Sequence, residues 1–97
     1  MEKSNIYCVY ILTNLHKTVL YVGVTNNLKK RLKEHYKQRG NRNSFTGRYN
    51  CYHLIYYEEH FFILNAIARE KEIKGWRREK KMKLICEKNK RLEFIIL

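Results

Sequence analysis

The sequence predicts an α+β domain in which a small three-stranded antiparallel sheet is flanked by about three helices, in the order β-β-α-β-α-α. Two observations support this fold class. The 97 residues have the length of one domain, and 44% of them are hydrophobic, which is enough for a small core. Apolar residues form strand-like runs at three places and recur at helical spacing at three others. We therefore treat residues 1–97 as a single domain.

Two short runs near the start of the chain predict a β-hairpin. Residues 7–12 and 19–24 are rich in β-branched and aromatic side chains, and the mostly polar stretch 14–18 separates them. A third run, residues 52–58, carries such side chains on both of its faces. This composition predicts a central strand that is covered on both sides.

The first helix is predicted directly after the hairpin, over residues 27–38. Its start offers the capping residues Thr25-Asn26-Asn27, and Leu28, Leu32 and Tyr36 form one apolar stripe along it. The following stretch, residues 39–50, contains two glycines and almost no aliphatic side chains. We expect a basic loop there, and loops of this length inside compact domains are often functional.

Two more helices are predicted after the third strand. Residues 63–74 repeat apolar side chains at helical spacing and are followed by Gly75, a residue type that commonly follows helices. Residues 77–86 continue as a third helix with Met82 and Ile85 facing inward. The last stretch, residues 87–97, is compatible with a short strand or a packed tail.

The chain is strongly basic. It contains 21 Lys and Arg against 9 acidic residues, a formal net charge of +12. This excess predicts a polyanionic partner, with nucleic acid first, although a solvated basic surface is the plain alternative. No run approaches the roughly 18 apolar residues of a membrane-spanning helix, and residues 1–5 lack a signal-peptide core. We expect a cytoplasmic protein with no membrane contact.

Cysteine usage agrees with a reducing compartment. Cys8, Cys51 and Cys86 are odd in number, widely spaced and without a C-x-x-C pattern. This spacing argues against a disulfide framework and against a zinc knuckle. We interpret the three side chains as small buried hydrophobic residues.

Carboxylates are few, and this limits metal chemistry. All nine acidic residues are glutamate, and adjacent strand residues such as Glu58 and Glu59 point to opposite faces. A metal ion would therefore be held by few protein ligands. Glu70 lies on the apolar side of its predicted helix, so it either serves a site or pairs with Lys74 one turn later.

Other candidate site residues lie on the first helix and the hairpin. Arg31 and His35 are four residues apart and share one helix face, which could hold a phosphate group. Tyr10 and Tyr21 lie on the two hairpin strands. Gly23, inside the second strand, indicates the close approach of another backbone or a ligand, or a simple bend.

Four motifs in this order resemble the GIY-YIG nuclease superfamily: Val9-Tyr10-Ile11, residues 20–26 (Leu-Tyr-Val-Gly-Val-Thr-Asn), Leu28-x-x-Arg31-Leu32-x-x-His35, and residues 69–76 (Arg-Glu-Lys-Glu-Ile-Lys-Gly-Trp). The resemblance spans about residues 6–89. It is nearest to standalone single-domain bacterial members, which are related to the N-terminal nuclease module of the excision-repair incision subunit. Through that relative the resemblance also points to DNA repair.

The resemblance implies hydrolysis of a DNA phosphodiester bond assisted by one divalent cation, Mg²⁺ or Mn²⁺. Tyr10 and Tyr21 match the tyrosines of the two half-motifs, of which one acts as general base and the other orients it; we favour Tyr21 as the base. Gly23 matches the motif glycine. Val24 stands where the repair module carries a lysine, so a cation at that place must come from elsewhere in the chain, with Lys29 and Lys30 as the candidates.

The remaining site residues are also implied by matching positions. Arg31 matches the arginine that stabilises negative charge on the reacting phosphate, and His35 matches a position that contacts the phosphate or the nucleophile. Glu70 matches the single metal-binding glutamate. The chain end lacks the Asn-Pro-x-Trp ending of this branch, so Asn89 is a doubtful ligand.

Substrate binding is expected from basic residues that contact phosphates without reading sequence. These residues are Lys29, Lys30, Lys33, Arg39, Arg42, Arg48, Lys74, Arg77 and Arg78. Phe45 and Tyr49, in the predicted loop, either stack on unpaired bases or pack the loop onto the sheet.

Two other functions are compatible with the sequence. One is a non-catalytic nucleic-acid-binding module with the same fold and basic surface. The other is a protein-interaction domain that uses the pair Phe61 and Phe62 together with the apolar tail 94–97. A lone nuclease module would in addition need a protein partner for specificity.

Overall fold

The computed structural model describes residues 6–97 and contains three strands and four helices. Residues 1–5 lie outside the described residues. The predictions of the domain extent and of a missing signal peptide included these residues. Between residues 6 and 97, no helix is long and apolar enough to cross a membrane. The elements are β1 (Tyr7–Thr13), β2 (Leu20–Thr25), α1 (Leu28–Lys37), α2 (Phe45–Arg48), β3 (His53–His60), α3 (Ile63–Lys74) and α4 (Arg78–Lys88).

The sheet confirms the predicted α+β class and the predicted hairpin. Its strands are antiparallel in the order β2-β1-β3. Asn14 holds the hairpin turn, because its side-chain oxygen accepts from the backbone N–H groups of Thr18 and Val19 at 2.8 and 3.1 Å. The prediction that the third strand is central was wrong: β1 is central, and β3 forms one edge.

The C-terminal segment explains why the edge strand β3 looks like a central one. The backbone N–H of Ile95 donates to Leu54 O at 2.7 Å, and Nδ2 of Asn89 donates to Ile55 O at 2.9 Å. Leu54 and Ile55, whose carbonyl oxygens accept these bonds, are both buried. Residues 89–97 are therefore a packed tail with no regular secondary structure, and Asn89 anchors this tail to the sheet.

Helix boundaries agree with the predictions except for one additional short helix. Asn27 caps α1 by accepting from the backbone N–H of Lys30 at 3.1 Å. Gly75 ends α3 with φ of −78°, so this position does not require glycine. The segment 39–50 was predicted to be entirely loop, but it contains the four-residue helix α2.

The two faces of the sheet carry separate apolar clusters. On one face, Val9 and Ile11 of β1 pack with Ala66 and Ile73 of α3. On the other face, the cluster is formed by Cys8, Tyr10, Leu12, Leu28, Cys51 and Leu54. Alternation along β1 thus places Tyr10 on the face that α1 covers. Cys8, Cys51 and Cys86 are free, and the first two are buried.

Candidate functional site

Tyr10 and Gly23 lie directly opposite each other in the β1–β2 register. A Cβ atom at position 23 would lie 2.5 Å from both Cζ and the hydroxyl oxygen of Tyr10. Only glycine therefore leaves room for the Tyr10 ring across the neighbouring strand. A close approach does occur at Gly23, but the approaching group is a side chain of the same sheet and not the backbone or ligand that was predicted.

A chain of polar contacts links Tyr10 to α2 through His35. The Tyr10 hydroxyl is 2.8 Å from Nε2 of His35, and Nδ1 of His35 is 3.2 Å from Oγ1 of Thr46. All three side chains are buried. Burial raises the pKa of Tyr10 to about 12, although the neighbouring Arg31 charge lowers it. Burial and the Arg31 charge hold the pKa of His35 below its usual value, so the imidazole is neutral at pH 7.

The segment around α2 positions Thr46, which the sequence analysis missed. Ser44 caps α2 by accepting from the backbone N–H of Gly47 at 3.1 Å. A Cβ atom at Gly47 would overlap the carbonyl oxygens of Gln38 and Asn41, so glycine allows the segment to close onto the end of α1. Ser44 three residues before Gly47 was the available signal, since serine is a preferred N-cap residue.

An open cleft of about 440 Å³ lies beside this chain of contacts, and Tyr21, Arg31, His35 and Thr46 contribute to its walls. The Tyr21 ring centre is 5.5 Å from that of His35 and 6.3 Å from that of Tyr10. Nη1 of Arg31 is 3.2 Å from a carboxylate oxygen of Glu34, with both side chains about half exposed. The guanidinium thus remains accessible from the cleft.

Glu70 lies near the edge strand β2, and Lys74 connects it to the cleft. Nζ of Lys74 is 3.4 Å from Oε2 of Glu70 and 5.8 Å from the Tyr21 ring centre. Arg31 lines a second groove of about 330 Å³ together with Ile67, one turn before Glu70. Tyr10, Tyr21, Arg31 and His35 therefore lie in one site, and Glu70 is linked to this site through Lys74. The Glu70–Lys74 ion pair, the plain alternative at this position, is also present.

A polar cluster next to Glu70 fixes α3 against the sheet. Nε of Arg69 is 3.0 Å from a carboxylate oxygen of Glu58, and Nη1 of Arg69 is 2.6 Å from Glu72. Burial raises the pKa of Glu58, but hydrogen bonds from Tyr56, Arg69 and His60 outweigh it, so the pKa lies below its usual value. Sequence reasoning missed this clamp, which joins residues 11 apart.

The nine basic residues predicted to bind nucleic acid are all exposed. Four of them, including Lys74 and Arg48, also have side-chain contacts within the protein. Arg78 donates through Nη1 and Nη2 to the carbonyl oxygens of Thr18 and Lys17 at 3.0 and 2.7 Å, which ties α4 to the hairpin turn. Arg39 donates to Tyr36 O at 2.8 Å and covers the Tyr36 ring. These two side chains have fewer donors left for a phosphate.

Besides Tyr36, exposed aromatic residues occur at two places. Phe45 stacks on Tyr21 with ring centres 6.1 Å apart, and its neighbour Tyr49 is 4.9 Å away. Phe61 and Phe62, before α3, are 74% and 70% exposed. The other part of the predicted interaction surface, the tail, is partly engaged, because Phe94 stacks on His53 at 4.1 Å.

Comparison with known proteins identifies relatives of the whole domain. A family model described as GIY-YIG catalytic domain matches residues 6–83. UPF0213 proteins of Staphylococcus aureus strains Mu3 and Mu50 are 35% identical over 69 residues, which is 71% of this chain and 82% of each relative. The solution NMR structure of the UPF0213 protein BH0048 from Bacillus halodurans superposes with a TM-score of 0.55 at 26% identity, covering 87% of this chain and 86% of that one.

Proposed function

Because the chain belongs to the GIY-YIG catalytic domain family, we propose that it is a metal-dependent endonuclease that hydrolyses phosphodiester bonds of DNA. The observation that carries this proposal is the cleft at the β2 edge, where Tyr21, Arg31 and His35 from two elements meet on a strongly basic domain. The same proposal includes a role in DNA repair and a cytoplasmic location. It also includes a protein partner that supplies specificity.

Tyr21 is the proposed general base. Its ring lines the cleft, whereas Tyr10 is fully buried and engaged with His35. A phenol accepts a proton only as the phenolate, a form that nearby cations favour. Arg31 lines the same cleft, and Lys74 Nζ is 5.8 Å from the Tyr21 ring centre. Lys74 would thus supply the positive charge that the valine at position 24 lacks. Tyr21 would take a proton from the attacking water.

Arg31 and Tyr10 have supporting roles in this scheme. The Arg31 guanidinium offers planar N–H donors that match phosphoryl oxygens and would stabilise the extra negative charge of the transition state. Tyr10 holds the neutral His35 ring against the cleft wall through the 2.8 Å contact. This contact fixes His35 before substrate arrives.

Glu70 is the residue that would hold the divalent cation. Its side chain is 15% exposed, and its ion pair with Lys74 is long at 3.4 Å, so an incoming cation can displace the ammonium. No three His, Cys, Asp or Glu side chains cluster in the described part of the chain, so most of the coordination would come from water and phosphate. Mg²⁺ prefers such sites, and when bound it would neutralise charge on the leaving oxygen.

The test of this function is DNA cleavage by the Tyr21→Phe variant. We expect its kcat to fall about 100-fold, because general base catalysis contributes roughly that factor or more. The assay uses labelled single-stranded, duplex and branched DNA with Mg²⁺ or Mn²⁺. Tyr52→Phe, which removes a hydroxyl outside the cleft, is the matched control and should cleave like wild type. Undiminished cleavage by Tyr21→Phe would remove Tyr21 from the base role.

DNA binding should depend steeply on salt. If six or more of the exposed basic residues contact phosphates, affinity should drop by about 1,000-fold between 50 and 200 mM salt. The measurement is fluorescence anisotropy of labelled DNA in EDTA, which separates binding from cleavage. An affinity that is the same at both salt concentrations would contradict the electrostatic account. If binding depends steeply on salt but the wild type cleaves no DNA with either Mg²⁺ or Mn²⁺, the non-catalytic binding module is favoured.

A further inference from the structure

Thr46 is buried against His35 and lines the cleft, yet it belongs to none of the motifs that predicted the site. We infer that Thr46 is a positioning residue that fixes His35 in the tautomer with its hydrogen on Nδ1. In this arrangement Nε2 accepts the hydroxyl hydrogen of Tyr10, and the Thr46 hydroxyl hydrogen points to the cleft. The consequence for catalysis rests on the proposed nuclease function, whereas the tautomer does not.

Two directions of hydrogen bonding are compatible with the distances alone. A neutral imidazole has one donor and one acceptor nitrogen, and both of its neighbours here are hydroxyl groups, which can donate or accept. In one direction Tyr10 donates to Nε2 of His35, and Nδ1 donates to Thr46. In the other, Thr46 donates to Nδ1, and Nε2 donates to Tyr10.

The environment of Tyr10 favours the first direction. Tyr10 is completely buried, so its single hydroxyl hydrogen requires an acceptor. The Arg31 guanidinium, which is a neighbour of this hydroxyl, carries only hydrogen-bond donors. Gly23 on the opposite strand has no side chain that could accept. His35 Nε2, 2.8 Å away, is an acceptor in the right place. If Nε2 carried the hydrogen, Tyr10 would face donors on both sides.

The position of Thr46 fits the same direction. Oγ1 of Thr46 lies 3.2 Å from Nδ1 and can accept its hydrogen. The residue also lines the cleft, so the Thr46 hydroxyl hydrogen can turn toward a bound group there. A phosphate oxygen is an acceptor without hydrogens of its own. The Thr46 oxygen thus stays free to accept from Nδ1, and Thr46 orders His35.

The tautomer is measured by NMR of ¹⁵N-histidine-labelled protein without DNA or metal, at pH 7.5. For His35 of the wild type we expect a protonated Nδ1 and an unprotonated Nε2. Thr46→Val keeps the shape but removes the acceptor, and it should shift the tautomer ratio toward Nε2–H by about fivefold. Thr46→Ser keeps the hydroxyl and should retain the wild-type ratio. Thr13→Val, an equally buried change in the hairpin, should leave His35 unaltered.

Two results would overturn the inference. One is a wild-type His35 that carries its hydrogen on Nε2, and the other is a Thr46→Val spectrum with the wild-type ratio. Cleavage assays add a second readout: kcat of Thr46→Val should fall about 10-fold and Thr46→Ser should restore it. If wild type cleaves no DNA, the proposed function fails while the NMR result still decides the tautomer.

Discussion

Replacement of Glu70 by glutamine is expected to reduce DNA cleavage by about 1,000-fold. The change keeps the size of the side chain but removes the negative charge that would hold the divalent cation. A metal ion supplies several kcal/mol of charge stabilisation to a reaction of this kind, and each 1.4 kcal/mol is about a factor of ten in rate. The assay compares both proteins with Mg²⁺ and Mn²⁺, and Mn²⁺ binding is measured separately by titration in the absence of DNA.

Glu72→Gln is the matched control on the same helix. Glu72 pairs with Arg69 on the exposed side of α3, so its loss should leave cleavage and Mn²⁺ binding unchanged. Thermal stability should change little in Glu70→Gln, because its ion pair with the half-exposed Lys74 is a helix-surface pair worth a few tenths of a kcal/mol. Wild-type cleavage or wild-type Mn²⁺ affinity in Glu70→Gln would exclude Glu70 as the metal ligand.

Replacement of Gly23 by alanine is expected to destabilise the fold by about 2 kcal/mol. The added Cβ would meet the buried Tyr10 ring at 2.5 Å, and overpacking of this kind costs roughly 1–3 kcal/mol. Displacement of the ring also lengthens the contact between Tyr10 and His35. For a domain of this size, 2 kcal/mol lowers Tm by about 8–16 °C. Cleavage should fall as well, because Tyr10 no longer holds His35 in place.

Gly75→Ala separates this steric effect from a general effect of replacing glycine. At Gly75 a Cβ would have 3.5 Å to the nearest oxygen, and φ is −78°, so alanine fits without strain. We expect no loss of stability in that variant. Urea denaturation of both proteins gives the comparison, and a Gly23→Ala protein as stable as wild type would show that the Tyr10 ring can move at no cost.

The sequence predicted those parts of the fold that depend on nearby residues. The hairpin, the cap of α1 at Asn27 and the length of α3 all follow from patterns within about ten residues. The strand order did not follow, because β3 is covered by the helices and also by the tail around Ile95, some 40 residues later. Apolar side chains on both faces of a strand indicate that other parts of the chain cover it. A C-terminal tail can do this as well as a neighbouring strand.

The same distinction holds for the candidate site. Tyr10, Gly23 and His35 were chosen from motif positions, and they are in contact because the register places Tyr10 opposite Gly23. Thr46 escaped prediction because α2 has only four residues, and its position depends on how closely the segment at Gly47 packs on α1. Metal binding at Glu70 and the choice of Tyr21 as base stay predictions.

The central position of β1 in the sheet sets the order in which the domain can fold. β1 and β2 are joined by a short turn and can pair early, as soon as both have left the ribosome. The pairing of β1 with β3 must close a connection of about 40 residues, which is slower because loop closure costs entropy before contacts form. During synthesis the free edge of β1 in the hairpin therefore stays unpaired until β3 has been synthesised. Glu70 follows later still, so a nascent chain carries Tyr10 and Tyr21 before it carries the proposed metal ligand.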